Sequence, residues 1–283
     1  MTPAEQDNPA VRVSSLVKRF GEATVLHGVD LEVRTGETMV VMGGSGCGKT
    51  TLLKHMIGLM EPDEGTVELR GRRLDELDEE GLNAMRRQFG VLFQGGALFT
   101  SMTVAENVAL PLQEHTDLDA ETIDIIVRIK LEQVGLREAA GRMPAELSGG
   151  MRKRVGLARA LALDPEILFY DEPSAGLDPV TTAEIDALIA GLTRKLGVTS
   201  VVVTHVMESA FRIADRMAML DAGRMLKIGP REDFAAIRDG GPTGETDTDL
   251  IRQFLRGDAD GPMSQRRTPD GYEQDIMRAA EGA

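Results

Sequence analysis

The sequence predicts an α/β fold: a parallel sheet with helices on its faces, an antiparallel β subdomain ahead of it and a helical insertion within it. Three observations carry that expectation. Gly43-Gly44-Ser45-Gly46-Cys47-Gly48-Lys49-Thr50 fits the phosphate-binding pattern GxxxxGK[ST], between a β-branched apolar stretch and a helical one. Apolar runs at 167–170 and 200–204 are separated by a helical segment, the alternation that builds buried parallel strands. Residues 11–16 and 29–33 alternate apolar with polar side chains, as half-buried antiparallel strands do.

In chain order, Gly36-Glu37 turns into a buried strand at 38–42 that runs straight into the glycine loop, and a helix follows over 51–58. Glycines let backbone N–H groups close around phosphates, and a helix N-terminus adds partial positive charge. The candidate nucleotide-binding residues are Gly43, Gly44, Ser45, Gly46, Cys47, Gly48, Lys49, Thr50 and Thr51, with Cys47 merely filling its slot. Lys49 is expected to reach the β- and γ-phosphates of a nucleoside triphosphate, and the Thr50 hydroxyl to ligate Mg²⁺. A turn at 61–65 leads to a strand at 66–69, and a short strand at 91–93 ends at Gln94.

From about 101 to 140 the pattern is helical. Thr103 and Glu106 form a capping box, and Ile123, Ile126, Val127, Ile129, Lys130 and Val134 outline one helix face. Leu147-Ser148-Gly149-Gly150-Met151 opens a helical run at 152–163, and a further helix is expected at 179–196. A hairpin about Ala222-Gly223 joins strands at 216–221 and 224–228. From Asp239 onward Gly, Asp, Pro and Thr dominate, which reads as an extended tail with one helical stretch near 250–255.

Composition excludes several classes. No apolar run among the 283 residues approaches the roughly 18–20 that a membrane span needs. One cysteine forbids an intrachain disulfide, four scattered histidines make no zinc set, and the N-terminus is acidic without an apolar signal core. A cytosolic location is expected. The net charge of −14 opposes nucleic-acid binding, and the short basic clusters at 72–73, 86–87 and 152–154 read as solvated faces.

Hydrolysis of a nucleotide needs a metal ligand and a group to activate water, and both stand where the strand at 167–170 ends in Asp171-Glu172. Asp171 is expected to hold Mg²⁺ through water and Glu172 to act as general base. Ser148 with the Gly149 and Gly150 amides forms a helix N-terminus suited to a γ-phosphate.

In that order the motifs resemble those of the ATP-binding subunits of ABC transporters, over about residues 10–238. The resemblance implies a P-loop NTPase cassette with a RecA-like core, binding ATP and Mg²⁺. It makes Ser174-Ala175-Gly176-Leu177-Asp178 the D-loop, with Asp178 at the nucleotide, and His205 the switch histidine. Gln94 becomes the Q-loop glutamine, touching metal and catalytic water, and Phe20 the ring that stacks on adenine. It also implies a head-to-tail dimer in which each ATP lies between the phosphate loop of one chain and Ser148-Gly149-Gly150 of the other. The stretch 91–108 with Pro111-Leu112, and the tail 254–262, resemble the ATPases of Mla (MCE-type) phospholipid transport systems. That likeness implies a membrane permease, MCE-domain lipid-binding proteins, often a STAS-domain protein, and a place on the cytoplasmic side of a bacterial inner membrane. The expected organisation is an ATP-binding domain at 10–240, with its helical subdomain at about 95–160, and a dimer-contacting extension at 241–283 anchored by Tyr272. ABC ATPases acting on DNA or ribosomes carry a coiled-coil insertion or two cassettes; this sequence has neither.

Overall fold

The computed structural model describes residues 9–265; Tyr272 and the end of the expected extension lie outside the described residues. β1 (Val11–Phe20) and β2 (Ala23–Val33) make a long antiparallel hairpin, and β4 (Glu64–Leu69) then β5 (Arg72–Arg73) extend the sheet in the order β2-β1-β4-β5. Alternation in β1 reads cleanly only as far as Leu16. Ser15 has φ 49°, the β1–β2 register shifts between Val13 and Leu16, and each shift swaps the faces that later side chains occupy. The sequence therefore shows two short strands where the structure has a continuous hairpin.

The second sheet contains β3 (Thr38–Met42), β6 (Phe89–Leu92), β7 (Ile167–Asp171), β8 (Thr199–Thr204), β9 (Arg216–Asp221) and β10 (Arg224–Pro230) in the order β10-β9-β3-β8-β7-β6. Every pairing from β9 to β6 is parallel, so the C-terminal ends of β3, β8, β7 and β6 lie along one edge. α1 (Lys49–Met56) bridges the two sheets. Its Leu52, Leu53 and Met56 share one core with Leu16, Leu26 and Val67 on one side and Val41, Phe169 and Val203 on the other. Burying such side chains is worth about 1.5–3 kcal/mol each, which locks the start of α1 against the parallel sheet.

α2 (Glu79–Arg86), capped by Asp78, follows β5 and was not legible as a helix. The helical insertion holds α3 (Val104–His115), α4 (Ala120–Gln133) and α5 (Gly149–Ala160). The expected capping box is present: Glu106 N–H donates to Thr103 Oγ1 at 3.2 Å, and Thr103 N–H to Glu106 Oε2 at 2.7 Å. On α4 the buried face is Ile123, Val127, Lys130 and Leu131, whereas Ile129 is 51% exposed, contrary to the face expected from sequence. Lys130 lies on the face as expected, burying its stem and pairing its ammonium with Asp164, and Leu131, four residues on from Val127, fills the place given to Ile129.

Asn107 on α3 is fully buried. Its amide donates to the carbonyls of Phe99, Met102 and Thr103 at 2.9–3.1 Å and its Oδ1 accepts from Phe99 N–H at 2.8 Å. Asn107→Leu removes these partners at nearly constant volume, and stranding buried polar groups costs about 1–3 kcal/mol. The urea midpoint should fall accordingly; an unchanged midpoint would show that the amide does not hold the loop.

α6 (Pro179–Leu196) matches its expected bounds, with Asp178 as N-cap and Gly197 at φ 68° after its end; α7 (Met207–Ile213) follows β8. The described residues divide into two units between Ile228 and Gly229. The second holds α8 (Arg231–Asp239), α9 (Thr246–Arg256), which contains the helical stretch expected near 250–255, and the short α10 (Pro262–Gln265). Composition does not announce the order around that stretch because arginines supply it. Arg252 Nε donates to the Ile237 carbonyl at 3.2 Å, and Arg256 donates to the carbonyls of Arg238 and Gly240 at 2.5 and 2.7 Å, closing the end of α8.

Candidate nucleotide site

The loop leaving β3 is held by close approaches that only glycine permits. A Cβ on Gly43 would lie 2.1 Å from the Leu220 carbonyl oxygen, and one on Gly48, at φ 108°, would lie 2.8 Å from Leu26 Cδ2. Ser45 and Gly46 stay exposed, while Cys47 is buried beneath the loop and its thiol is pushed up by burial. Lys49 is 7% exposed, and its ammonium donates to the carbonyls of Gly43 and Gly44 at 2.9 and 2.8 Å. The loop thus presents a buried cation and a helix start together, a cradle for phosphate.

Across the sheet edge, Thr50 Oγ1 donates to Asp171 Oδ1 at 3.4 Å, joining the two expected metal ligands. Burial, then the neighbouring Glu172, raises the Asp171 carboxyl above its usual range. Among the described residues no group of three His, Cys, Asp or Glu could hold a metal unaided. One hydroxyl with one carboxylate nevertheless fits Mg²⁺, which fills its octahedron largely from phosphate and water oxygens.

Glu172 is the most constrained group at the edge. Its φ is 49°, in the left-handed region that favours glycine, and its N–H donates to the Val203 carbonyl at 2.9 Å. Oε1 meets His205 Nδ1 at 2.8 Å, and Oε2 accepts from Thr204 Oγ1 at 3.2 Å and His205 N–H at 3.3 Å. The carboxylate is thereby held as an acceptor on a half-exposed histidine, in the geometry of a base with an orienting partner.

The remaining expected residues occupy separate places. Gln94 follows β6 and is exposed. Phe20 closes β1 with 49% of its surface open and Lys18 Nζ 5.8 Å from its ring centroid. Ser148 caps α5, accepting from Met151 N–H at 3.2 Å, and a Cβ on Gly150 would meet Thr181 Cγ2 at 2.5 Å. Asp178 uses its carboxylate on its own chain, accepting from the N–H groups of Val180 and Thr181 at 3.0 Å each.

Sequence reasoning missed four contributors. Thr204 and Asn107 are ordinary polar residues until their partners are known. Arg159 donates to the carbonyls of Gly96 and Ala97 at 3.0 and 2.7 Å, bracing the loop after Gln94. Lys153 belongs to the cluster expected to be a solvated face, yet it is 5% exposed and its ammonium donates to the Glu172 carbonyl at 2.9 Å. Only its neighbours fit that expectation, Arg152 being exposed and Arg154 paired with Glu184.

The family model for the ABC transporter matches residues 26–175. The chain belongs to the ABC transporter family. It is an ATP-binding cassette that hydrolyses ATP, with an α/β core and an antiparallel β sheet. Relatives of this ABC ATPase include the intermembrane phospholipid transport system ATP-binding protein MlaF of Haemophilus influenzae, 38% identical over 94% of this chain and 98% of that one. MlaF of Escherichia coli K12 is 40% identical over 91% and 92%, and the probable ribonucleotide transport ATP-binding protein mkl of Mycobacterium leprae 41% over 92% and 73%. Among solved structures, the dimeric cassette MJ0796 in a post-hydrolysis state with ADP and Pi superposes with a TM-score of 0.72 at 33% identity, covering 78% of this chain and 98% of that one. CbiO1 of Clostridium perfringens gives 0.75 at 27% identity, covering 81% and 92%.

Proposed function

We propose that this chain is the motor subunit of a phospholipid ABC transporter of the Mla (MCE) type, acting on the cytoplasmic side of a bacterial inner membrane. The observation that carries the reading is likeness along nearly the whole chain to two MlaF proteins, at 98% and 92% of their lengths. Among the described residues no helix is long and apolar enough to cross a membrane, and in the proposed complex a separate permease carries the translocation path. The MCE-domain proteins and STAS-domain protein implied by the resemblance complete the proposed complex. The named function of the mycobacterial relatives favours a second cargo, ribonucleotide, on the same motor.

ATP would lie over residues 43–51 with its adenine on Phe20, and a second copy of the chain would close the site with Ser148, Gly149 and Gly150. Asp178, spent on capping α6, would set the height of that opposing surface. When bound, Mg²⁺ neutralises phosphate charge, with Thr50, Asp171 and Gln94 as its protein-side holders. Glu172 takes a proton from water while His205 holds its Oε1, and loss of the γ-phosphate releases the two chains from each other. The deciding experiment is extraction of the tagged chain with its membrane complex, followed by lipid analysis and ATP-driven transfer between vesicles. Bound phospholipid that moves only with ATP supports the reading; a complex that carries ribonucleotide and no lipid overturns the cargo.

The permease contact is proposed at residues 95–99. Phe99 is half exposed beneath the Arg159 guanidinium, 5.9 Å from its ring centroid, with Leu98 half-buried beside it. An apolar anchor on a braced loop suits a short helix of the permease. Leu98→Glu should abolish co-purification of the permease while ATP affinity stays within about twofold; intact assembly would place the contact elsewhere.

A further inference from the structure

Both peptide groups of Glu172 are pinned, and from different elements. Its N–H is fixed by the Val203 carbonyl on β8, and its carbonyl accepts from the Lys153 ammonium on α5 at 2.9 Å and, more loosely, from the Ala175 N–H of its own turn at 3.2 Å. Between them the residue sits at φ 49°, a conformation that a non-glycine residue keeps only when its surroundings hold it. A rotation of that peptide would carry the side chain away from His205 and Thr204.

Placing an ammonium here is unfavourable in itself. Lys153 is buried, and burial lowers it to about 8, with Glu172 and Asp171 acting in the opposite direction. A residue chosen only to fill α5 would be an apolar one of the same length. Its own helix is also fixed at a second point, since a Cβ on Gly156 would stand 3.0 Å from the Gly96 carbonyl oxygen and Arg159 grips that oxygen too. The helix that supplies the amine is thereby tied to the loop that follows β6.

We propose that Lys153 is a positioning residue for ATP hydrolysis, setting the backbone of Glu172 so that its carboxylate meets water in the right place. Through Lys153 the base of a chain follows the position of the Ser148-Gly149-Gly150 end of the same helix. This inference rests on Glu172 being the base. Lys153→Met keeps the stem and removes the donor. In the full-length chain it should lower kcat about 10- to 100-fold, the penalty of a small misplacement, with KM and Kd for ATP within about twofold.

A double-mutant comparison separates positioning from a general lesion. If Lys153 acts through Glu172, Lys153→Met adds no further loss in a Glu172→Gln background. Equal losses in both backgrounds, or kcat of Lys153→Met within twofold of the parent, overturn the proposal. Normal turnover by Glu172→Gln alone would instead remove the base assignment. Should Lys153→Met lose its thermal transition, Lys153→Gln carries the test: a shorter donor that cannot reach the carbonyl lowers kcat at constant KM, and unchanged kcat overturns the proposal.

Discussion

Replacing Glu172 with glutamine should leave ATP bound and nearly stop its hydrolysis. The glutamine oxygen can take over acceptance from Thr204 Oγ1 and His205 N–H, now made by Oε2 at 3.2 and 3.3 Å. Its NH₂ can donate to His205 Nδ1, which carboxylate Oε1 now meets at 2.8 Å. Shape and hydrogen bonds survive, so the fold should melt at the parent temperature. The capacity to accept a proton does not survive, and general-base loss commonly lowers rates about 10²–10⁴-fold. Single-turnover assays should show ATP retained without phosphate release, with a long-lived nucleotide-bound dimer in sedimentation. A steady-state rate near the parent's would take Glu172 out of the reaction.

The second large effect is on binding. Lys49→Ala should weaken ATP by roughly 10- to 150-fold, since hydrogen bonds to charged groups are worth about 1.5–3 kcal/mol. The buried ammonium already lies within 3 Å of the Gly43 and Gly44 carbonyls, so its charge sits inside the loop that receives phosphate. The loop itself should persist, because Gly43 is wedged against the Leu220 carbonyl independently of the lysine. Titration with a fluorescent nucleotide measures the loss directly. Affinity within twofold of the parent would mean that backbone amides alone hold the phosphates.

The parts of this protein legible in its sequence are those whose chemistry is local. The phosphate loop, the Thr103–Glu106 capping box and the bounds of α6 depend on residues within a few positions of one another. Asp171-Glu172 could be read because an apolar strand delivers it. Where the partner is distant the signal vanished: Lys153 looked like one more surface cation until β7 brought the Glu172 carbonyl to it. Asn107 carried no mark at all, since its work is done on the backbone of Phe99 and the turn after it. On α4 periodicity placed Ile123, Val127 and Lys130 on the buried face and misplaced Ile129, which lies two residues on from Val127 and so off the stripe that Leu131 completes. From Asp239 onward the sequence showed the helical stretch near 250–255 and hid the order around it, which arginine-to-carbonyl bonds supply to a segment too polar to announce a core.

The insertion leaves the sheet after β6 and returns to it at β7, and these two strands are direct neighbours, with Phe89 opposite Ile167. Because these strands run parallel, the chain departs from the C-terminal end of β6 and re-enters at the N-terminal end of β7, so α5 has to carry it back along the sheet. Gln94 and Glu172 then stand just beyond the same end of the two neighbouring strands. A displacement of α5 reaches the first through the grip of Arg159 on Gly96 and the second through Lys153.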